Sequence, residues 1–289
     1  MTDAPIYIHA GAHRTGTSSL QMCLHENRDA LGQAGFALAY PGRDGIPSGT
    51  LALRLPGTIG VTEPDAVARA QKTLDDHAGD RPLILSEENI PGRMYHFMKG
   101  QFYPLAEARC DVLRAAWGGP IAHLLFVVRP YDQMYMSGFR KRAEDNAVPS
   151  FDSLRPAYMA MDRGWPELVT AMMDILRPEA MTVIPYARRG SSADLVGRLV
   201  PGIPGGALIE PDRVVNLSAT DAGLEALQAV YHAGDKLPRA KWKAVIRAYA
   251  EDRAPRGFAA FTEAESAELA GRYASDLKQI EWMPGVTFG

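Results

Sequence analysis

The chain has 289 residues, of which 46% are hydrophobic, enough for the core of one large α/β domain or of two small ones. Its formal net charge of −3 argues against a general nucleic-acid-binding protein, so any basic site must be local. Two cysteines are too few for a disulfide framework and fit a reducing compartment.

The beginning of the chain predicts a cytoplasmic protein. A strand-type apolar run starts within about five residues of the N-terminus, which leaves no room for a signal peptide. No later run is long and apolar enough to span a bilayer. We therefore expect a soluble protein with no membrane partner.

The first predicted strand leads into a glycine-bearing turn and then a helix. Ile6–Ile8 is the apolar run, and Gly11 and Gly16 allow the backbone to turn tightly. Hydroxyl side chains follow where the helix begins, at Thr15, Thr17, Ser18 and Ser19. Free N–H groups and the positive end of the helix dipole converge there, so the turn is suited to bind phosphate or sulfate.

This turn departs from the phosphate-binding loop of nucleotide kinases and ATPases. Gly11 and Gly16 fit the pattern G-x-x-x-x-G, but Thr17 stands where those enzymes carry lysine. The nearest cation is Arg14. A strand-to-helix turn without a ligand is the alternative interpretation.

The next segments predict a helix over 18–34, a strand over 36–40 and, after a long connection, a helix over 64–77. The connection at 41–60 is rich in proline and glycine. Loops of such length inside a compact domain are usually functional or mobile, so this one could border a pocket. Cys23, in the first helix, is expected to be a small core residue.

The third predicted strand, Pro82–Ser86, carries Glu87 and Glu88 directly after it. Ligands bind at the carboxyl ends of strands in open parallel sheets, so either carboxylate is a candidate catalytic group. A glutamate that caps the following helix is the alternative. Residues 92–103 mix aromatic, methionine and basic side chains, which suits either a pocket wall or a packed loop.

A helix over 104–117 precedes the clearest central strand, Ile121–Val128, which ends directly in Arg129. Ser137 follows eight residues later, since 137 − 129 = 8. Two helical turns cover about 7 residues, so both side chains could reach one phosphate.

The remaining pattern is helical apart from one strand. Helices are predicted over 165–176, 192–200, 218–233, 239–252 and 262–280, a strand over 181–185 and a linker over 201–211. The alternation predicts an α/β fold with a P-loop-like parallel sheet, helices on both faces and a helical C-terminal part. We expect a single domain over 1–289, with its core at about 5–200 and the helical part at about 212–285.

Four segments resemble the sulfotransferases that use 3′-phosphoadenosine-5′-phosphosulfate (PAPS). Arg14-Thr-Gly-Thr-Ser-Ser19 is similar to their 5′-phosphosulfate loop, and Val127–Ser137 resembles their 3′-phosphate-binding segment. Ser86–Asn89 looks like the Ser-x-Glu-Asn segment of bacterial members. Arg256-Gly257 is weakly similar to the Arg-Lys-Gly loop of cytosolic members, although the lysine is missing.

The resemblance implies how the donor PAPS would be held. The 5′-phosphosulfate would bind the loop backbone and Thr15, Gly16, Thr17, Ser18 and Ser19. The 3′-phosphate would bind Arg129 and Ser137, with Arg256 and Gly257 from the weaker match.

The resemblance also implies a reaction, the transfer of a sulfuryl group to a hydroxyl or amine of a small-molecule or glycan acceptor. Arg14, at the place of the family's lysine, would neutralise charge on the bridging oxygen. Arginine and lysine differ in shape and hydration, so slower turnover or an altered position of the donor is expected. Glu88, at the place of the catalytic histidine of cytosolic members, would take the acceptor proton. No metal is needed for this chemistry, and no metal-ligand pattern is seen.

Two other classes remain open. A P-loop kinase or NTPase would need a lysine after Gly16 and an acidic residue for magnesium. A catalytically idle PAP- or PAPS-binding protein would keep Arg129 and Ser137 without needing Glu88. If neither glutamate is the base, His96 and His25 are the next candidates.

Overall fold

A computed structural model describes residues 4–61, 63–203, 205–212 and 218–289. Within them, six strands form one parallel sheet in the order β2-β3-β1-β4-β5-β6. The strands are β1 (Ile6–His9), β2 (Ala37–Ala39), β3 (Leu83–Ser86), β4 (Ile121–Val128), β5 (Met181–Pro185) and β6 (Val286–Phe288). The predicted α/β fold with an all-parallel sheet is confirmed.

The helices of the described residues cover both faces of the sheet. They are α1 (Thr17–Glu26), α2 (Arg28–Gln33), α3 (Ala66–Ala78), α4 (Ala106–Trp117), α5 (Tyr131–Ala143), α6 (Phe151–Met159), α7 (Trp165–Leu176), α8 (Ser192–Leu199), α9 (Asp221–His232), α10 (Arg239–Ala248) and α11 (Glu263–Glu281). None of these helices combines the length and the apolar character needed to cross a bilayer.

The sheet separates two apolar cores because successive strand residues point to opposite faces. Ile84 and Leu125 pack with α1 and α8 on one face. Their neighbours Leu85 and Phe126 pack with α3, α4 and α7 on the other face. Burial on both sides explains why the central strands are continuous apolar runs.

The topology places the connections that follow β1 and β3 side by side at the carboxyl ends of the strands. β1 lies between β3 and β4. The chain leaves β1 toward the face of α1 and leaves β3 toward the face of α4. A crevice therefore opens beyond the carboxyl ends of these strands, the usual place for a ligand in an open α/β sheet.

The predicted helix over 18–34 is wrong in its length, because the structure breaks it at Asn27. The buried Asn27 side chain donates to the carbonyl oxygen of Cys23, and both donates to and accepts from the Ile209 backbone. Side chains that compete for backbone groups interrupt helices. Cys23 is buried in the core, as predicted.

Two elements were not predicted, α6 and β6. α6 contains Pro156, which obscures a helical pattern in sequence. β6 has three residues and pairs with Met181–Val183 at the sheet edge, so long-range pairing and no local pattern defines it. The predicted linker at 201–211 and the C-terminal part from 212 include Pro204 and residues 213–217, which lie outside the described residues.

Candidate active site

The turn after β1 lies against two neighbours at positions where only glycine fits. Gly11 has a φ of +98°, and a Cβ there would lie 3.1 Å from the Cα of Glu88. Gly16 has a φ of +88°, and a Cβ there would lie 2.7 Å from Nε of Arg189. The left-handed backbone at both positions disfavours residues with a Cβ. Glycine at position 11 thereby allows the turn to lie close to the residues that follow β3.

Helix α1 starts at this turn with unused donors. Its N-cap is Gly16, and no side chain caps it. No acceptor among the described residues pairs with the backbone N–H groups of Gly16 and Thr17. Thr15 is buried and donates to the carbonyl oxygen of Ala12, so it shapes the turn. An anion at this helix end would receive the free N–H groups.

Two arginines connect the turn to β4 and α5. Arg129 Nη1 donates to the carbonyl oxygen of Arg14 at 2.6 Å, and its guanidinium stacks over the ring of Tyr186 at 4.8 Å. Arg14 Nε donates to Ser137 Oγ at 2.8 Å. The Nε of Arg129 is buried and has no hydrogen-bond partner in the described structure. Burial lowers the pKa of Arg129, although a guanidinium remains charged at neutral pH.

These groups line a cleft of about 310 Å³, here called the loop cleft. Of the residues predicted to bind the donor, it brings together Arg14, Gly16, Thr17, Ser18, Ser19, Arg129 and Ser137. Thr15 is not part of its lining. Arg256 and Gly257 also do not line it: the Arg256 side chain forms ion pairs with Glu225 and Asp252.

A second cleft of about 300 Å³, the side cleft, adjoins the loop cleft. Its walls are largely aromatic and methionine side chains: Met94, Phe97, Met98, Tyr135, Phe139 and Tyr158. Part of the 92–103 segment thus forms a pocket wall. Four residues line both clefts and define the junction between them, namely His13, Glu88, Met94 and Lys141.

The two adjacent glutamates have different surroundings. Glu87 is only 6% exposed, is paired with Arg43, and accepts from the backbone and side-chain amides of Asn89 at 2.8 and 3.0 Å. Glu88 is half-buried and lies at the junction. Of the two, only Glu88 lines the junction of the two clefts.

His13 belongs to a hydrogen-bond chain beneath the junction. The Asn89 amide nitrogen donates to Glu87, so its oxygen faces His13 and accepts from Nε2 at 3.0 Å. His13 Nδ1 then accepts from the Tyr103 hydroxyl at 3.1 Å. Burial lowers the pKa of His13 to about 4. Both ring nitrogens are engaged in hydrogen bonds, so the imidazole holds Asn89 and Tyr103 in position.

Lys141 is a site residue that sequence reasoning missed. It lies one helical turn after Ser137 on α5, and its ammonium pairs with Glu144 at 2.7 Å. The i, i+4 spacing from Ser137 is the signal that could have found it. His96 is buried and His25 lies on α1, and neither lines the two clefts.

Among the described residues, no group of three or more His, Cys, Asp or Glu side chains is arranged to hold a metal ion. No protein-family model and no curated protein matches this sequence. The interpretation of the site therefore depends on its own geometry and chemistry.

Proposed function

We propose that the protein is a PAPS-dependent sulfotransferase. The observation that carries the proposal is the placement of two anion-binding features in one cleft. The first is the N-terminus of α1, and the second is Arg129, whose buried Nε has no partner in the described structure. A donor with two separate anionic groups fits such a cleft.

The donor PAPS has this arrangement of charge, with a phosphosulfate at its 5′ position and a phosphate at its 3′ position. The free N–H groups of α1, with Thr17, Ser18 and Ser19, are suited to the first group. Arg129 and Ser137 are suited to the second, since arginine can bind a phosphate through two parallel hydrogen bonds. Arg14 lines the same cleft and donates to Ser137.

In the proposed reaction the bond between sulfur and the phosphate oxygen breaks, and a bond between sulfur and the acceptor oxygen or nitrogen forms. The acceptor proton passes to the Glu88 carboxylate, and PAP leaves with the electrons of the broken bond on its 5′-phosphate. In this proposal Arg14 offsets the charge that develops there. Lys141, at the junction, adds a second cation close to the transferred group.

The two alternative classes of protein, a P-loop kinase or NTPase and a catalytically idle binding protein, lack specific support. A kinase of the P-loop type uses lysine where this chain has Thr17, and it needs carboxylates for magnesium. Glu87 is committed to Arg43 and Asn89, which leaves Glu88 alone at the junction. An idle binding protein would not need a carboxylate between the two clefts.

Calorimetric titration with PAP and with Mg-ATP separates these classes. We expect PAP to bind and Mg-ATP to bind at least about tenfold more weakly. Preferential binding of Mg-ATP would favour the kinase. A screen of hydroxyl and amine acceptors with labelled PAPS then separates the enzyme from the idle binding protein, which would bind PAP and transfer nothing.

A further inference from the structure

A third depression, here called the arginine groove, continues from the side cleft. It has a volume of about 640 Å³ and lies between the loop at 41–55 and the residues that follow β3. Arg43, Asn89 and Arg93 line both the groove and the side cleft. A path therefore leads from the junction at Glu88, through the side cleft, into the groove.

The groove is strongly cationic although the whole chain has a net charge of −3. Its described lining includes five arginines, Arg43, Arg54, Arg93, Arg109 and Arg239, and one carboxylate, Glu87. Concave surfaces with one sign of charge attract ligands of the opposite sign.

The single carboxylate does not neutralise these cations. Glu87 is already paired with Arg43. Arg109 is buried and directs its guanidinium at backbone carbonyl oxygens, including that of Asn89 at 2.5 Å. Arg54 and Arg93 are exposed, and neither side chain forms a hydrogen bond or ion pair with another described residue. Two cations are thus available to a ligand at the groove surface.

The side cleft between the groove and the junction requires a different ligand chemistry. Aromatic and methionine side chains, among them Met94, Phe97 and Met98, form most of its walls, and Lys141, Arg142 and Asp145 also line it.

We propose that the sulfuryl acceptor is an elongated anion, an inference that rests on the proposed function. Its hydroxyl or amine lies at Glu88, a mainly apolar body occupies the side cleft, and an oxyanion lies in the arginine groove. The oxyanion is a carboxylate or a phosphate monoester, since each presents two oxygens that can accept parallel hydrogen bonds from one guanidinium.

The test uses calorimetric titration of the PAP-bound protein with ω-hydroxycarboxylates of about six to twelve carbons, a length range suited to the cleft sizes. Each carboxylate is compared with the uncharged diol of the same length. A second series of titrations uses the ω-hydroxyalkyl phosphates. We expect at least one anion to bind about tenfold more tightly than its diol. The relative affinities of the ω-hydroxycarboxylates and the ω-hydroxyalkyl phosphates identify the preferred oxyanion.

The double variant Arg54→Gln and Arg93→Gln should reduce that preference to about threefold or less, with the affinity for the diol unchanged. Retained diol binding also shows that the variant is folded. Arg247→Gln is the matched control, because Arg247 is exposed on α10 and lines none of the three depressions. The inference is overturned if no anion is preferred at any length, or if the preference survives in the double variant.

The same titrations without PAP separate this inference from the proposed function. If PAP itself does not bind but the carboxylate preference depends on Arg54 and Arg93, the donor assignment fails and the groove assignment stands. If PAP binds and no anion is preferred, only the groove assignment fails.

Discussion

Replacing each of the adjacent glutamates with glutamine should separate catalysis from stability. Glu88→Gln keeps the shape of the side chain at the junction but cannot take a proton. We expect turnover to fall about 10²- to 10⁴-fold, the usual contribution of a general base. The melting temperature and the affinity for PAP should change little, because Glu88 is half-buried, glutamine keeps its size, and the anionic groups of PAP are assigned to the N-terminus of α1 and to Arg129 and Ser137.

Glu87→Gln should have the opposite profile. A hydrogen bond to a charged group contributes about 1.5–3 kcal/mol and a neutral one about 0.5–1.5 kcal/mol. Glu87 accepts from Arg43 and Asn89, but the Arg43 side chain is 42% exposed, which weakens that pair. We therefore expect a loss of about 1–2 kcal/mol of stability and a melting temperature lower by about 2–5 °C. Turnover per folded molecule should change much less than in Glu88→Gln.

The assays are thermal unfolding, PAP titration and single-turnover transfer of labelled sulfuryl groups at saturating PAP. A larger loss of turnover in Glu87→Gln than in Glu88→Gln would refute the assignment and move the base to Glu87. A loss of less than about threefold in both variants would be too small for a general base. The base would then have to be another group, with His96 and His25 the next to replace.

Three further predictions concern the loop cleft and its support. Arg129→Ala should weaken PAP binding by about 2–4 kcal/mol, measured by calorimetry, because a charge-assisted contact to phosphate is lost; equal affinity would remove Arg129 from the site. Arg14→Lys should leave PAP affinity nearly unchanged and alter turnover, since the cation is needed mainly as charge develops; a collapse of PAP binding with unchanged turnover per bound donor would contradict this. The pKa of His13 is lowered from 6.5 to about 4. Between pH 4 and pH 6.5, the unfolded chain therefore binds one more proton at this residue than the folded chain does. Its contribution to stability, up to about 3 kcal/mol, is present above pH 6.5 and is lost as the pH falls toward 4. Melting temperatures across that window should fall less steeply in His13→Gln than in the parent, whereas His232→Gln, at an exposed position, should match the parent.

Features that depend on one continuous segment could be predicted from the sequence. The strand Ile121–Val128 and the helix Trp165–Leu176 have the predicted bounds, because burial and backbone hydrogen bonding impose a pattern on the segment itself. The turn at 11–19 could be recognised for the same reason. Its glycines, hydroxyls and helix start are neighbours in sequence.

Only the tertiary structure determines which side chains contact each other when they are far apart in the sequence. Arg14 and Ser137 are 123 positions apart, and only the packing of β1 beside β4 brings them within hydrogen-bond distance. The alternation of strand residues could not separate the two glutamates, since β3 ends at Ser86. Contacts with Arg43 and Asn89 distinguish Glu87 from Glu88.

The difference between features of one continuous segment and contacts between distant segments also explains which features could not be predicted from the sequence. β6 exists because β5 offers a sheet edge, and three residues carry no periodic signal of their own. Arg256 resembles a phosphate-binding residue in its local motif, but Glu225 and Asp252 hold its side chain at the surface. Local sequence determines which conformations a segment favours, whereas the direction of a long charged side chain depends on whichever opposite charges the fold places within its reach.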